Sequence, residues 1–262
     1  MSKVVSQDGT AIAFDQAGAG RPIILVDGAF GYRAFGPMTQ LAPLLAQHFT
    51  VFAYDRRGRG ASGDTAPYAV EREIEDIAAL ISEAGGSAYV YGISSGAVLA
   101  LKATSTLTGI TKLAIYEPPF VLDDSRPAAP PDYLAQLKAL LAAGRRGDMV
   151  AYFMTAGVGL PAEAVAPMRA MPMWPALESL AHTLIYDATC MGDFAVPTAV
   201  CVAAGRVPTL VLGGGASPAW LHHAVRAVAD AIPAAQRRML EGQTHEVAAA
   251  ALAPVLEEFF QG

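Results

Sequence analysis

Residues 92–96, with the sequence Gly-Ile-Ser-Ser-Gly, constrain the fold of this chain more than any other segment. The preceding residues 88–91, Ala-Tyr-Val-Tyr, are short, apolar and aromatic like a buried strand. The residues that follow, 97–103, are mostly strong helix formers. The segment therefore predicts a sharp turn from strand to helix. Its two glycines fit such a turn, because a Cβ at either position would collide with the neighbouring strand or helix.

A serine at the corner of a strand-to-helix turn is held in a strained conformation with its hydroxyl exposed, as a nucleophile requires. The pattern GxSxG alone recurs by chance, so the inference depends on the strand and helix around it. On this basis Ser94 is predicted to be a nucleophile.

The rest of the chain alternates between strand-like and helix-like segments. Apolar runs of strand length occur at 22–26, 50–54, 112–116 and 209–212, and helical patterns separate the runs of the first half, of which residues 70–81 are the clearest. Such an order predicts an α/β fold, with a mostly parallel central sheet of about eight strands and helices on both faces.

The alternation stops after residues 117–119 and resumes near 207–208. The intervening segment is rich in proline and holds six of the nine methionines. We expect short helices there, forming a helical cap (residues 119–205) inserted after the sixth strand of a core domain (1–118 and 206–262). The methionines either form an adaptable apolar pocket wall or simply fill the core.

Composition excludes several classes of function. No run approaches the ~18 apolar residues of a membrane span, and residues 1–8 show no secretory signal, so we expect no membrane association and a cytoplasmic location. A net charge of −6 without a large basic cluster argues against nucleic acid. Cys190 and Cys201 belong to no CxxC pair, so neither a disulfide nor a metal site is expected. No cofactor is predicted. A small-molecule substrate and a monomer or homodimer are the expectations that remain.

A nucleophilic serine needs a histidine to take its proton, and the chain has five. His48 precedes a strand, His182 falls in the insertion, and His222 and His223 lie within an amphipathic helix. His245 instead follows the predicted last strand (238–241) in a loop before the closing helix. His245 is therefore the predicted general base.

The order of these parts resembles the α/β-hydrolase superfamily, from about Val5 to Phe260 and least within the insertion. That family has an Asp-x-x-Gly-x-Gly-x-Ser segment, which residues 55–62 match and which we interpret as a structural turn near the nucleophile.

The resemblance also implies an oxyanion hole formed by the backbone amides of Ala29 and Ser95. In the family, a His-Gly dipeptide precedes the first of these residues. Here the histidine is replaced by Asp27, while Gly28 is retained. A charged carboxylate so close to an oxyanion would oppose it unless it points away or is paired.

The third member of the expected triad departs from the common pattern. The loop after strand 209–212 usually carries an aspartate, but residues 213–218 contain no carboxylate. The family's second solution is an acid at the end of the preceding core strand, which makes Glu117 the candidate. Asp187 and Asp193 are weaker candidates, and Ser217 or a water molecule orienting His245 is a further alternative.

These features predict a serine hydrolase that cleaves an ester, thioester or lactone of a small, largely apolar molecule through an acyl-enzyme on Ser94. A carbon–carbon bond hydrolase or perhydrolase on the same scaffold is a second reading. A non-catalytic small-molecule binding protein is a third, motivated by Asp27 and the missing aspartate.

Overall fold

The computed structural model describes all 262 residues and contains one eight-stranded sheet. Its spatial strand order is β1-β2-β4-β3-β5-β6-β7-β8. The strands are β1 Ser2–Val5, β2 Ala11–Ala17, β3 Arg21–Val26, β4 Phe49–Tyr54, β5 Ala88–Ile93, β6 Ile110–Tyr116, β7 Thr209–Gly214 and β8 Gln236–Leu240. Only the pairs β1–β2 and β2–β4 are antiparallel and the other five are parallel, so the predicted α/β fold with a mostly parallel sheet is confirmed.

The core helices cover both faces of this sheet, and each face has its own hydrophobic cluster. One cluster packs under α1 and α11, and the other under α2, α3 and α10. The bounds of these helices are α1 Met38–Leu45, α2 Val70–Glu83, α3 Ser95–Thr106, α10 Ala219–Ala231 and α11 Ala249–Gln261. Strands β5 and β7 are buried along their whole length and β3 from residue 23 onward, and these stretches are largely apolar because both faces are covered.

The segment between β6 and β7 forms six short α-helices, as its prolines predicted. They are α4 Tyr133–Ala142, α5 Arg146–Tyr152, α6 Ala162–Met168, α7 Trp174–Leu180, α8 Leu184–Met191 and α9 Thr198–Ala204. A π-helical turn at Phe153–Gly157 follows α5, and a 3-10 turn at Ala181–Thr183 precedes α8. This helical insertion contributes its own apolar side chains to the larger of the two core clusters.

Parallel pairing of β3, β5, β6, β7 and β8 brings their carboxyl ends to one edge of the sheet. The loops that follow these strands hold the residues that the sequence singled out. In an open α/β sheet this edge is where ligands bind.

Candidate active site

Ser94 lies at the corner between β5 and α3, in a backbone conformation that side chains rarely adopt, with φ 57° and ψ −128°. The flanking glycines are sterically required. A Cβ on Gly92 would lie 2.5 Å from the carbonyl oxygen of Gly96, and a Cβ on Gly96 would lie 2.4 Å from the carbonyl oxygens of Val26 and Asp27. The strained turn is thus held by close contact between the start of the helix and the end of β3.

His245 and Glu117 meet across the carboxyl edge of the sheet. His245 Nδ1 lies 2.8 Å from Glu117 Oε2, and the other carboxylate oxygen accepts a 2.7 Å hydrogen bond from the Gly214 amide. Glu117 directly follows β6 and is fully buried, whereas the His245 side chain is 41% exposed. The imidazole is therefore oriented by a carboxylate that is itself held by the end of β7.

This pairing determines which ring nitrogen of His245 is available. An ionised carboxylate can only accept hydrogen bonds, so Nδ1 carries the proton and Nε2 is the basic nitrogen. Ser94 and His245 line the same cavity, and no direct hydrogen bond joins their side chains. Such bonds are often long in free enzymes and tighten when substrate is bound.

Ala29 and Ser95 line the same cavity as Ser94. The Ala29 amide donates to no protein acceptor. Ser95 is the first residue of α3, and an N–H in the first turn of a helix has no partner within the helix. Two donors beside Ser94 are thus available to a ligand oxygen, in the arrangement that the resemblance implies.

A buried ion-pair network holds the loop that carries the first of these amides. Arg59 donates to the carbonyl oxygens of Gly28 and Gly31, one on each side of Ala29, and to Asp187 Oδ2 at 2.7 Å. The Ser95 hydroxyl donates to the other oxygen of Asp187 at 2.8 Å.

Asp187 thereby joins the helical insertion to both sides of the amide pair. Arg56 also donates to Asp187, at 2.8 Å, and to Glu73. Burial alone would raise the pKa of Asp187, but Arg59 and Arg56 hold it below its usual range. Residues 55–62, expected to form only a structural turn, therefore supply the two arginines that brace the loop.

Asp27, in place of the family's histidine, turns its carboxyl group away from the cavity into a closed space. It is 3% exposed, its Oδ1 accepts a 2.9 Å hydrogen bond from the Gly28 amide, and its Oδ2 has no partner. Gly31 packs so closely that a Cβ there would lie 2.1 Å from the Asp27 Cγ. Burial raises the pKa of Asp27 to about 7, although the Gly28 amide and the charges of Arg59 and Arg56 act against the shift.

The alternative partners considered for His245 lie elsewhere. Asp187 binds Arg56, Arg59 and Ser95, and Asp193 accepts from the Ala195 amide. The hydroxyl of Ser217 is buried without a hydrogen-bond partner. None of these three side chains contacts the imidazole, which leaves Glu117 as its carboxylate partner.

The remaining histidines are occupied by other contacts. His222 Nε2 lies 2.8 Å from the carbonyl oxygen of Gly214, and His223 pairs with Asp123 on the surface. His48 and His182 lie 3.8 Å from carboxylates that do not belong to the cavity. Among the five histidines, His245 is the one that lines the cavity.

The cavity has a volume of about 320 Å³, and ten of its 19 lining residues are hydrophobic. Of the six methionines in the insertion, only Met191 lines it. The others are buried in the core, as Met149 is, or lie toward the surface, as Met171 does. The hypothesis of a methionine-rich pocket wall is therefore wrong, and the core-filling interpretation describes the buried members.

Sequence reasoning missed one charged residue of the cavity, Arg126, which lies in the proline-rich segment before α4. Neither periodicity nor a spacing motif marks this arginine. The one signal was its isolation as a cation within a segment whose neighbouring charges are acidic.

None of the helices is long and apolar enough to cross a lipid bilayer.

One edge of the parallel sheet thus holds a serine on a strained strand-to-helix turn, a histidine bound to a carboxylate, and two backbone amides without protein acceptors. This combination is typical of hydrolases with an α/β fold. The alpha/beta hydrolase family model matches residues 12–258. The chain therefore belongs to the alpha/beta hydrolase family, which confirms the resemblance and the hydrolase class inferred from the sequence.

Solved structures agree with this assignment. An alpha/beta hydrolase from Sphaerobacter thermophilus DSM 20745 is 57% identical, with a TM-score of 0.92 over 99% of this chain and 100% of that one. A thermophilic esterase from Thermogutta terrifontis is 21% identical, with a TM-score of 0.72 over 99% and 97% of the two chains. A bromoperoxidase from Bacillus anthracis is 18% identical, with a TM-score of 0.74 over the whole of both. The last two similarities concern the fold.

Proposed function

We propose that this protein is a serine hydrolase that cleaves an ester or thioester bond of a small molecule through an acyl-enzyme on Ser94. The observation that supports it most is the hydrogen-bonded chain from Gly214 through Glu117 to His245, whose imidazole borders the same cavity as the Ser94 turn. Orienting an imidazole with a buried carboxylate is the arrangement by which a serine is activated.

The proposed reaction begins with attack of Ser94 Oγ on the substrate carbonyl carbon while His245 Nε2 takes the hydroxyl proton. The carbonyl oxygen becomes an anion, which accepts hydrogen bonds from the amides of Ala29 and Ser95. His245 then gives its proton to the leaving alcohol or thiol, and the acyl group remains on Ser94. Water, deprotonated by His245, attacks the acyl carbon, and the acid is released.

Glu117 has two roles in this scheme. It keeps the proton of His245 on Nδ1, so that Nε2 faces the reaction, and it stabilises the imidazolium that forms in each half-reaction. Its position at the end of β6 supports this role. In the proposal Glu117 takes the place of the carboxylate that is missing after β7, the feature that motivated the alternative of a non-catalytic binding protein.

Residues 119–205 act in this proposal as a cap over the site. Twelve of the 19 lining residues come from this segment, among them Arg126, Tyr133, Phe153, Met191 and Phe194. A cap of this kind limits access of water and selects substrates by shape and charge. The cytoplasmic location and the monomeric or homodimeric state remain predictions from the sequence.

The test is labelling with a fluorescent fluorophosphonate, which reports an activated serine without knowledge of the substrate. Wild type should be labelled, and both Ser94→Ala and His245→Ala should lose the label. Ser217→Ala is a matched control, because Ser217 is a buried serine whose hydroxyl has no partner. A folded wild type that resists labelling would contradict the proposal.

Hydrolysis of p-nitrophenyl esters by protein that has not been treated with the probe then identifies the bond. Product analysis separates ester cleavage from carbon–carbon cleavage and from perhydrolysis, the two readings that share the nucleophile.

A further inference from the structure

Arg126 is a buried cation on the wall of the cavity that also holds Ser94 and His245. The residue is 6% exposed, so nearly all of its surface is removed from solvent. A buried charge is costly unless it is paired and hydrogen-bonded. The partners of this guanidinium therefore indicate whether it is satisfied within the protein.

All of the partners of Arg126 are uncharged. Its Nη2 donates to the carbonyl oxygen of Gly157 at 2.6 Å, and its Nε donates to that of Pro127 at 3.3 Å. The ring of Trp220 lies 4.5 Å from the guanidinium carbon and covers one face. Nη1 bonds to no protein atom, so three of the five N–H donors have no protein acceptor.

The other buried arginines, in contrast, all form ion pairs with carboxylates. Arg56 binds Glu73 and Asp187, Arg57 binds Asp76 and Asp8, and Arg59 binds Asp187. Each of these three guanidiniums has at least one carboxylate within ion-pair distance, whereas Arg126 has none. Burial accordingly lowers the pKa of Arg126, although a guanidinium remains protonated in proteins.

No other group on the cavity wall can neutralise Arg126. Asp187 is the one carboxylate among the lining residues, and Arg56, Arg59 and Ser95 occupy its oxygens. His245 is bound to Glu117. The cavity thus presents one uncompensated positive charge with free planar donors.

We propose that Arg126 binds a carboxylate of the substrate, and that the enzyme acts on half-esters of dicarboxylic acids rather than on wholly apolar esters. This inference rests on the proposed function for the ester, and on Arg126 alone for the carboxylate. Free guanidinium donors match a carboxylate in geometry as well as in charge. Hydrolysis adds one water across the acyl C–O bond and yields the dicarboxylate, the alcohol and a proton.

The experiment compares two substrates that differ in one charge, p-nitrophenyl hydrogen glutarate and its methyl ester. Wild type should have the higher kcat/KM on the half-ester, mainly through a lower KM. Arg126→Gln should reduce the ratio of the two kcat/KM values by about 10- to 100-fold, as expected for a hydrogen bond to a charged group. Arg126→Lys should restore part of the ratio, because it keeps the charge without the planar donors.

Arg206→Gln is the matched control. Arg206 also donates to backbone carbonyls, including that of Thr104 at 3.0 Å, and forms no ion pair, but it lies outside the cavity. The control should leave the ratio as it is in wild type. Circular dichroism and fluorophosphonate labelling of Ser94 report whether each variant is folded with an intact nucleophile.

A ratio near one in wild type, or a ratio that persists in Arg126→Gln, would overturn the assignment while leaving the proposed hydrolase intact. If neither ester is hydrolysed, binding of free glutarate, measured by thermal unfolding, separates the two proposals. A rise in unfolding temperature in wild type and Arg206→Gln but not in Arg126→Gln would keep the anion site and refute the esterase. No rise in wild type would refute the anion site as well.

Discussion

Replacing Asp27 with asparagine should change how the stability of this protein depends on pH. The carboxyl group is 3% exposed, one of its oxygens has no partner, and burial raises its pKa to about 7 from the usual 3.8 of an aspartate. Between these values the folded state holds a proton that the unfolded chain has released. The free energy of unfolding must therefore fall as pH rises through this window.

The size of the effect follows from the shift of about three pKa units. Each unit corresponds to about 1.4 kcal/mol, so ionisation of Asp27 should cost the folded state about 4 kcal/mol by pH 8. This contribution is absent below about pH 3, grows between the two pKa values and is constant above about pH 8. Asparagine has the same shape and no charge, so Asp27→Asn should gain stability relative to wild type as the pH rises, by up to this amount.

The assay is urea unfolding followed by circular dichroism at pH 4.5, 6 and 8, at constant ionic strength. Taking the difference between variant and wild type at each pH removes every other titrating group. The cost of burying the amide adds the same offset to this difference at every pH, so the prediction concerns only how the difference changes with pH. Asp230→Asn, at an exposed position without hydrogen bonds, is the control and should give a flat difference. A flat difference for Asp27→Asn as well would refute the reasoning.

Three further predictions concern catalysis and packing. Glu117→Gln should lower kcat by roughly 10³- to 10⁴-fold, because the amide no longer holds His245 in its reactive tautomer, and steady-state kinetics on any ester that is hydrolysed would detect this. Gly96→Ala should destabilise the fold by about 1–3 kcal/mol or more in urea unfolding, since its Cβ would lie 2.4 Å from the carbonyl oxygen of Asp27. Asp187→Asn should cost about 3–5 kcal/mol by leaving two buried arginines short of a counter-charge, and a loss below 1 kcal/mol would contradict the bracing role.

Much of the fold and of the site could be predicted from sequence because the signals are local. A buried parallel strand is apolar along its length, and the glycines at 92 and 96 are required by contacts at that turn. The same logic placed His245 in the loop after the last strand. Each inference used residues within one or two elements of the chain.

The sequence favoured Glu117 as the partner of His245 but left other candidates open. Glu117 and His245 are 128 residues apart, and their 2.8 Å contact depends on the pairing of β6 with β7 and on the Gly214 amide beneath the carboxylate. Asp187, an alternative by sequence, is instead bound to arginines from another loop. The register of β6 against β7 and the position of α8, which carries Asp187, therefore decide which of the two acids contacts His245.

The charges of the site were decided by tertiary structure alone. The sequence predicts a carboxylate beside the oxyanion hole, but only the packing of Gly31 and Gly36 against Asp27 shows that it is enclosed. The sequence predicts an apolar pocket, but folding brings Arg126 to its wall without a counter-charge. Hydrophobic patterns determine which face of an element is buried. The partners of a buried charge depend on distances between segments that are remote in sequence, and no local pattern contains them.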